Sequence, residues 1–313
     1  MISISLIKKW KNMLLHKSVF HVNQTEGLCY SKNEIKGYYN NLTDKVKFTK
    51  SLDEEGIPFN IASYGEQKKK VYFPIAVFQY GLGAYDLYLQ SADAAYLQKA
   101  RAAADWALRE QLASGAWDTF GILKYSNPYS SMAQGEGASL LVRLYKETGE
   151  QSYLAAAEKA ISFMLQAVED GGTTLYQGDA MILMEYPAKA CVLNGWIFSA
   201  FGLYDLWLAT GKNEYRKQWE RALAAIKASL PKFDTGHWTY YDLGKKYASP
   251  FYHSLHIELL KALQKLSGDE AFEKYIQKWS RCKKHGFWRR YAFIRKALQK
   301  LTEKKKQEWV LTA

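Results

Sequence analysis

Apolar positions in this chain fall into helical runs that recur at a regular interval. One run, Phe78 to Leu89, ends in a turn and is followed by Tyr96 and the alanine-rich stretch Ala100 to Leu108. Another opens at Met132 and reaches Lys146-Glu147-Thr148-Gly149, then continues through Tyr153 and Ala155 to Leu165. A third runs from Asn194-Gly195 to Leu208, turns at Thr210-Gly211, and resumes through Tyr215 to Leu230. A fourth runs from His253 to Leu266, turns at Ser267-Gly268-Asp269, and resumes after Phe272 to about Arg281. The aromatics that follow the turns, Tyr96, Tyr153, Tyr215 and Phe272, are spaced by 57, 62 and 57 residues. Each unit reads as helix, short turn, helix, with glycine supplying a left-handed cap.

Repeated helical hairpins of this period stack side by side. Curved strongly enough, they make an (α/α) toroid. The first helix of each pair is apolar and carries small residues (Gly81, Gly83, Gly135, Gly137, Gly202), as an inner layer requires; the second is amphipathic, as an outer layer requires. The predicted fold is therefore mainly α: an (α/α) toroid over 73–281. A short irregular or β N-terminal arm over 1–72 precedes it, and a basic helical tail over 282–313 follows it. Within the arm, Val46 to Thr49 and Lys70 to Phe73 read as short strands. Ser63-Tyr64-Gly65-Glu66 reads as a turn. The long connections, Gln111 to Ser131, Ala167 to Cys191 and Pro231 to Tyr252, emerge at one rim, where a site belongs.

Composition narrows the chemistry. The 313 residues suffice for a large core, and the 23 Tyr, 14 Phe and 10 Trp suit either that core or a cleft that packs sugar rings. Three scattered cysteines, Cys29, Cys191 and Cys282, give no thiolate metal site and no disulfide framework. Walker and dinucleotide-binding patterns are missing, so no cofactor is expected. His237, His253 and His256 lack a well-spaced carboxylate, which favours substrate contact or burial over metal.

The net charge of +12 is concentrated: Arg281 to Lys306 holds eleven Lys or Arg against one acid, Glu303. Such a segment attracts polyanions or anionic lipid. Nucleic acid, anionic lipid and an acidic polysaccharide all answer to that charge, with association at a membrane surface through the basic segments and oligomerisation left open. Met1 to Lys17 reads as a short amphipathic helix and not a signal peptide, because Lys8-Lys9 follow the apolar run. No stretch approaches the about 20 apolar residues that span a bilayer. The chain is thus expected in the cytoplasm or peripheral to a membrane. Asn23-Gln24-Thr25 and Asn41-Leu42-Thr43 match the glycosylation tripeptide.

Three tyrosines, Tyr186, Tyr241 and Tyr252, come from different loops that emerge at one rim. Phenols on opposite faces of a carbon can remove a proton from one side and return one to the other. Paired carboxylates among Asp118, Glu136, Glu185, Asp234 and Asp242 would instead support glycoside hydrolysis.

An ordered series of motifs resembles the helical C-terminal domain of the D-glucuronyl C5-epimerase family. It comprises Tyr72-Phe73-Pro74-Ile75 with Gln79-Tyr80-Gly81-Leu82, Tyr129 to Gly135, and Glu185-Tyr186-Pro187 with Val192-Leu193-Asn194-Gly195. Gly202 to Leu206, Asp234-Thr235-Gly236 with Tyr241-Asp242-Leu243, and Tyr252-His253 with His256 complete it. The resemblance implies an isomerase inverting C5 of D-glucuronyl residues to L-iduronyl in a heparan-type acidic polysaccharide or its precursor, so that the expected partner is an acidic polysaccharide and no nucleic acid. It assigns proton transfer to Tyr186, Tyr241 and Tyr252. Glu185, Gln134, Asn194, Lys245, His253, His256 and Trp117 are the expected substrate-binding residues. An arginine that family members carry three residues after the middle tyrosine is Gly244 here. The alternatives are a uronic-acid polysaccharide hydrolase or lyase on the same toroid, or a non-catalytic polyanion-binding module.

Overall fold

A computed structural model describes residues 24–302 and 309–312. The Met1 to Lys17 segment, the first glycosylation asparagine and Lys304-Lys305-Lys306 lie outside these described residues. Four helical hairpins form the body: α2 (Pro74–Ser91) with α3 (Ala94–Glu110), α4 (Ser131–Thr148) with α5 (Gln151–Met164), α6 (Leu193–Thr210) with α7 (Asn213–Phe233), and α8 (Pro250–Ser267) with α9 (Glu273–Lys284). A short helix α1 (Thr43–Phe48) precedes them, and α10 (Gly286–Thr302) follows. The architecture is the toroid expected from the repeat, with α2, α4, α6 and α8 as its inner layer. Among the described residues no helix is long and apolar enough to cross a membrane.

The inner helices pack closely because they carry no side chain at the contact. A Cβ on Gly202 would sit 2.6 Å from the Cα of Gly135, so α4 and α6 touch backbone to backbone. Three hairpins turn through a left-handed glycine, Gly149, Gly211 and Gly268; the first turns through Ala92 at φ 57° without one. In each, the cap N–H bonds the carbonyl four residues back.

The N-terminal arm is built into the toroid. Ile35, Tyr38, Tyr39 and Leu42 are buried in the same core as the inner helices. Arg143 of α4 and Asp205 of α6 form a fully buried ion pair at 2.7 Å. The same guanidinium donates to the carbonyls of Lys36 (2.8 Å) and Gly37 (3.0 Å). Tyr39 donates its hydroxyl hydrogen to Asp205 at 2.5 Å, and the Tyr38 N–H donates to Asp86 at 2.8 Å. The arm then crosses α2 at Gly83, where a Cβ would lie 2.3 Å from the Leu42 carbonyl oxygen.

Two local expectations change. Val46 to Phe48 are helical, not extended: the Asn41 side chain accepts from the Thr43 N–H at 3.1 Å and starts α1 in place of a strand. The arm's hairpin is β1 (Asn60–Tyr64) with β2 (Gln67–Val71), turning at Gly65, and β5 (Val310–Thr312) pairs with the free edge of β1. Strands β3 (Thr174–Gln177) and β4 (Ala180–Leu183) form a second hairpin inside the connection from α5 to α6. Helix α7 runs through Pro231 to Phe233, so the third long connection begins at Asp234.

Candidate active site

Backbone pairing between connections assembles the site. Strand β4 delivers Met184 and Glu185 to the rim, where the Met184 carbonyl accepts from the Ser131 N–H at the start of α4 (3.1 Å). The two later connections are then stitched together: the Leu193 N–H donates to the Tyr241 carbonyl (3.2 Å), and the Leu243 N–H to that of Cys191 (2.9 Å). Tyr252 lies in the first turn of α8 and not in a loop. Pro250 opens that helix, and Ser249 caps it by accepting from the Tyr252 N–H.

A cavity of about 150 Å³ results, lined by Glu185, Tyr186, Asn194 and Tyr252 together with Lys45 and Gln79. Tyr241 stands behind it, its ring 4.7 Å from that of Tyr252 at 58°. Tyr186 is stacked on Phe120 (4.5 Å, 22°) with the Lys189 ammonium 5.1 Å from its ring centre. The Lys296 ammonium lies 5.7 Å from the ring of Tyr241.

The electrostatics follow from burial around carboxyl groups. Burial, then the charge of Glu185, holds all three phenols above their ordinary range, so they keep their protons. Burial pushes Glu185 itself up to about 7, opposed by a hydrogen bond from Tyr186 and by Lys189. Glu136, fully buried on α4, is raised by burial against a hydrogen bond from Gln79 and the charge of Lys45. Lys45 is brought down to about 8 by burial, opposed by Glu136. Among the described residues, Glu136 Oε2, Glu185 Oε2 and Asn194 Oδ1 are buried without a hydrogen-bond partner in the protein. Buried polar atoms rarely lack partners, so Glu185 Oε2 and Asn194 Oδ1, whose residues line the cavity, suit polar groups of a ligand.

Five of the expected contacts do not line this cavity. Gln134 is fully buried. Its amide donates to the carbonyls of Gly115 (2.9 Å) and Ala160 (3.2 Å) and accepts from the Trp117 N–H (3.2 Å). Trp117 is also buried, its indole N–H bonded to the Ala107 carbonyl (2.9 Å). His253 and His256 share the Thr239 hydroxyl, at 3.0 and 3.1 Å, and His253 is sandwiched under Trp238 with ring centres 3.7 Å apart. Burial lowers both imidazoles to about 3, so they are neutral. Lys245 is exposed at φ 62°, and its carbonyl accepts from Gln299. Lys45 was not foreseen at all.

Beside the cavity, and sharing Phe73 with it, runs an open groove of about 1060 Å³. Its walls bring together Lys69, Lys70 and Lys124 with Tyr64, Tyr72 and Trp309. Rings interleaved with ammonium groups suit a chain of acidic sugars.

Comparison with known proteins agrees with this picture. The family described as D-glucuronyl C5-epimerase C-terminus matches residues 123–281. A D-glucuronyl C5-epimerase from Caenorhabditis elegans is 31% identical over 207 residues, covering 57% of this chain and 34% of that protein. An uncharacterized protein of Methanocaldococcus jannaschii is 30% identical over 155 residues, covering 48% of this chain and 50% of that one. The chain thus spans between a third and a half of the length of these curated relatives. The crystal structure of a sugar epimerase from a ruminal bacterium superposes with a TM-score of 0.53 at 14% identity, over 77% of this chain and 69% of that one; the shared feature is the helical fold. With half of its length matched by the family's own pattern, and with the tyrosine and glutamate motifs set around one cavity, the chain belongs to the D-glucuronyl C5-epimerase family through its C-terminal helical domain.

Proposed function

We propose that this protein is a carbohydrate epimerase that inverts C5 of D-glucuronyl residues to L-iduronyl in an acidic polysaccharide or its precursor. The observation that carries the reading is the meeting of Glu185 and Tyr186, from the connection after β4, with Tyr252 of α8 in one cavity with Lys45.

The C5 hydrogen is acidic because it lies next to the carboxylate. Removing it builds charge on that carboxylate, and the charge must be met by donors or a cation. In this scheme Tyr186 takes the C5 proton on one face while passing its own to Glu185, which at about 7 is ready to accept it. Tyr252, held protonated and packed on Tyr241, returns a proton on the other face. The arginine that the family carries after the middle tyrosine is Gly244 here, and Lys246 sits 3.8 Å from Asp242. Lys45 takes over the cationic role: it comes from the arm, lines the cavity, and faces the substrate carboxylate as a point charge. Neighbouring sugars of the polymer lie along the Lys69, Lys70 and Lys124 groove.

The test is turnover of an unsulfated glucuronyl polymer in deuterated water. Deuterium entering C5, with iduronyl residues appearing and chain length unchanged, is the expected result. Unsaturated ends or new reducing ends without C5 label would instead identify a lyase or a hydrolase.

A further inference from the structure

Helix α10 has two faces with different fates. Its inner face braces the connection that carries Tyr241. Trp288 stacks on His237 (ring centres 4.4 Å, 25°), Ala292 is fully buried, and the Gln299 amide accepts from the Tyr247 N–H at 2.9 Å. Helical geometry then turns Phe287, Ile294, Leu298 and Leu301 to the opposite side, one above another along the axis. These four side chains are 61%, 56%, 52% and 51% exposed. Isolated exposed apolar residues are ordinary, but an aligned row over the length of one helix is not.

The surroundings of that row select its partner. From residue 281 to residue 302 the chain has eight Lys or Arg and no Asp or Glu. Arg281, Lys284, Arg289, Arg290 and Arg295 are all exposed. A soluble polyanion satisfies the charges but has nothing to cover phenylalanine, isoleucine and leucine. A second copy of the same helix would cover the apolar row but would set arginine against arginine. An anionic bilayer surface satisfies both at once, with acyl chains meeting the apolar row and headgroup phosphates meeting the guanidinium groups.

We propose that α10 is an interfacial helix that seats this protein on an anionic membrane surface through Phe287, Ile294, Leu298 and Leu301. Because its other face holds the connection bearing Tyr241, the seat lies against the wall of the candidate active site. The inference does not depend on the reaction proposed above.

Sedimentation with vesicles tests it. The full chain should partition onto phosphatidylcholine vesicles containing phosphatidylglycerol, and not onto phosphatidylcholine alone, with binding weakened by salt. The triple variant Phe287→Glu, Ile294→Glu, Leu301→Glu should lose binding by tenfold or more, on the order expected for burying three apolar side chains. Arg289→Gln with Arg290→Gln keeps the apolar row and should weaken binding by about 30-fold, from about fivefold per charge. Thermal melting of each variant separates loss of the surface from loss of the fold. Absence of binding by the wild-type chain, or equal binding by both variants, would overturn the proposal. So would a wild-type dimer in the ultracentrifuge that the triple variant abolishes, since that result makes a second copy the partner.

Discussion

Glu185 occupies the space that a side chain at position 195 would need: a Cβ on Gly195 would lie 2.3 Å from the Glu185 carboxyl oxygen and 2.6 Å from its Cβ. The glycine sits in the first turn of α6, next to Asn194. It therefore sets how far the carboxyl can sink beside the inner layer. Gly195→Ala should push Glu185 out of register with Tyr186. Turnover should fall by about 100-fold, the scale of a displacement of about 1 Å in a positioned group. Stability should change little by comparison, since alanine favours the helix by up to about 1 kcal/mol. Steady-state rates alongside thermal melting of the variant check this; a rate within a factor of two of wild type would remove Glu185 from the chemistry.

Removing single hydroxyls should separate the three tyrosines. Tyr186→Phe and Tyr252→Phe should each lower C5 exchange by about 10²- to 10⁴-fold, the usual contribution of a positioned acid or base. Both variants should still bind the polymer. Tyr241→Phe should cost less, because Tyr241 stands behind the cavity, against the Tyr252 ring. Comparable losses in all three would instead place Tyr241 at the reacting carbon.

The repeat of helical hairpins was legible in the chain because it rests on periodicity and on glycine at the ends of helices, both local signals. Glu185, Tyr186 and Tyr252 were legible through their motifs, and the structure brings them to one cavity. What stayed hidden has the opposite character. Gln134, Trp117, His253 and His256 have the polarity of site residues, and only their long-range partners show that they are built into the fold away from the cavity. Lys45 was invisible for a related reason. Its segment has no helical periodicity, and its place depends on Arg143, Asp205 and Gly83, which lie far away in the chain.

The Arg143–Asp205 pair is buried on both sides and anchors the arm through the Lys36 and Gly37 carbonyls. Asp205→Ala leaves a buried guanidinium without its carboxylate. It should destabilise the protein by about 3–5 kcal/mol, the range for breaking a buried pair on one side. Because Lys45 rides on the same arm, proteolysis of the arm should accelerate and turnover should fall together. Denaturant unfolding and limited proteolysis measure the two effects; an arm that stays protected in the variant would show that Arg143 is not its anchor.

Acid should unfold this protein through its buried histidines. His253 and His256 are held neutral to about 3, whereas an unfolded chain protonates them near the ordinary histidine value of about 6.5. Stability is therefore fully present above that value and is lost as pH falls towards 3. The unfolded state gains up to about 1.4 kcal/mol per ring for each pH unit. Glu185 acts in the other direction: raised to about 7 in the fold, it contributes most below the ordinary carboxylate range and its contribution is lost as pH rises to about 7. Melting temperatures of wild type and of the variant Glu185→Gln across pH 4 to 8 (roughly the window these groups define) should differ in slope above pH 4.5, where only wild type loses the carboxyl contribution.

The pH dependence of turnover tests the roles of Glu185 and Lys45 together. As proton acceptor from Tyr186, Glu185 must be ionised, so the rate should rise with pH through about 7. Lys45 must carry its charge to face the substrate carboxylate, so the rate should fall as pH passes about 8, where the buried ammonium loses its proton. The profile of kcat/KM, which reports the free enzyme, should therefore be a narrow bell between these two values. Glu185→Gln should remove the acid limb along with most of the activity. Lys45→Arg should retain part of the activity and move the alkaline limb beyond the measurable range, because a guanidinium keeps its proton. Lys45→Met should lower kcat/KM by about 10²- to 10³-fold at pH below about 8, where the wild-type ammonium is charged, and by less above it; that is the scale of losing one group that meets developing negative charge. Reducing the polymer's carboxyl groups to alcohols supplies the control. Wild type should bind the reduced polymer more weakly than the uronate, and Lys45→Met should narrow that preference without abolishing it, because Lys69, Lys70 and Lys124 of the groove still meet carboxylates. A Lys45→Met variant that keeps both the alkaline limb and the full wild-type preference for the carboxylate would assign the cation to another residue, and Lys189, beside Tyr186, would then be the next to change.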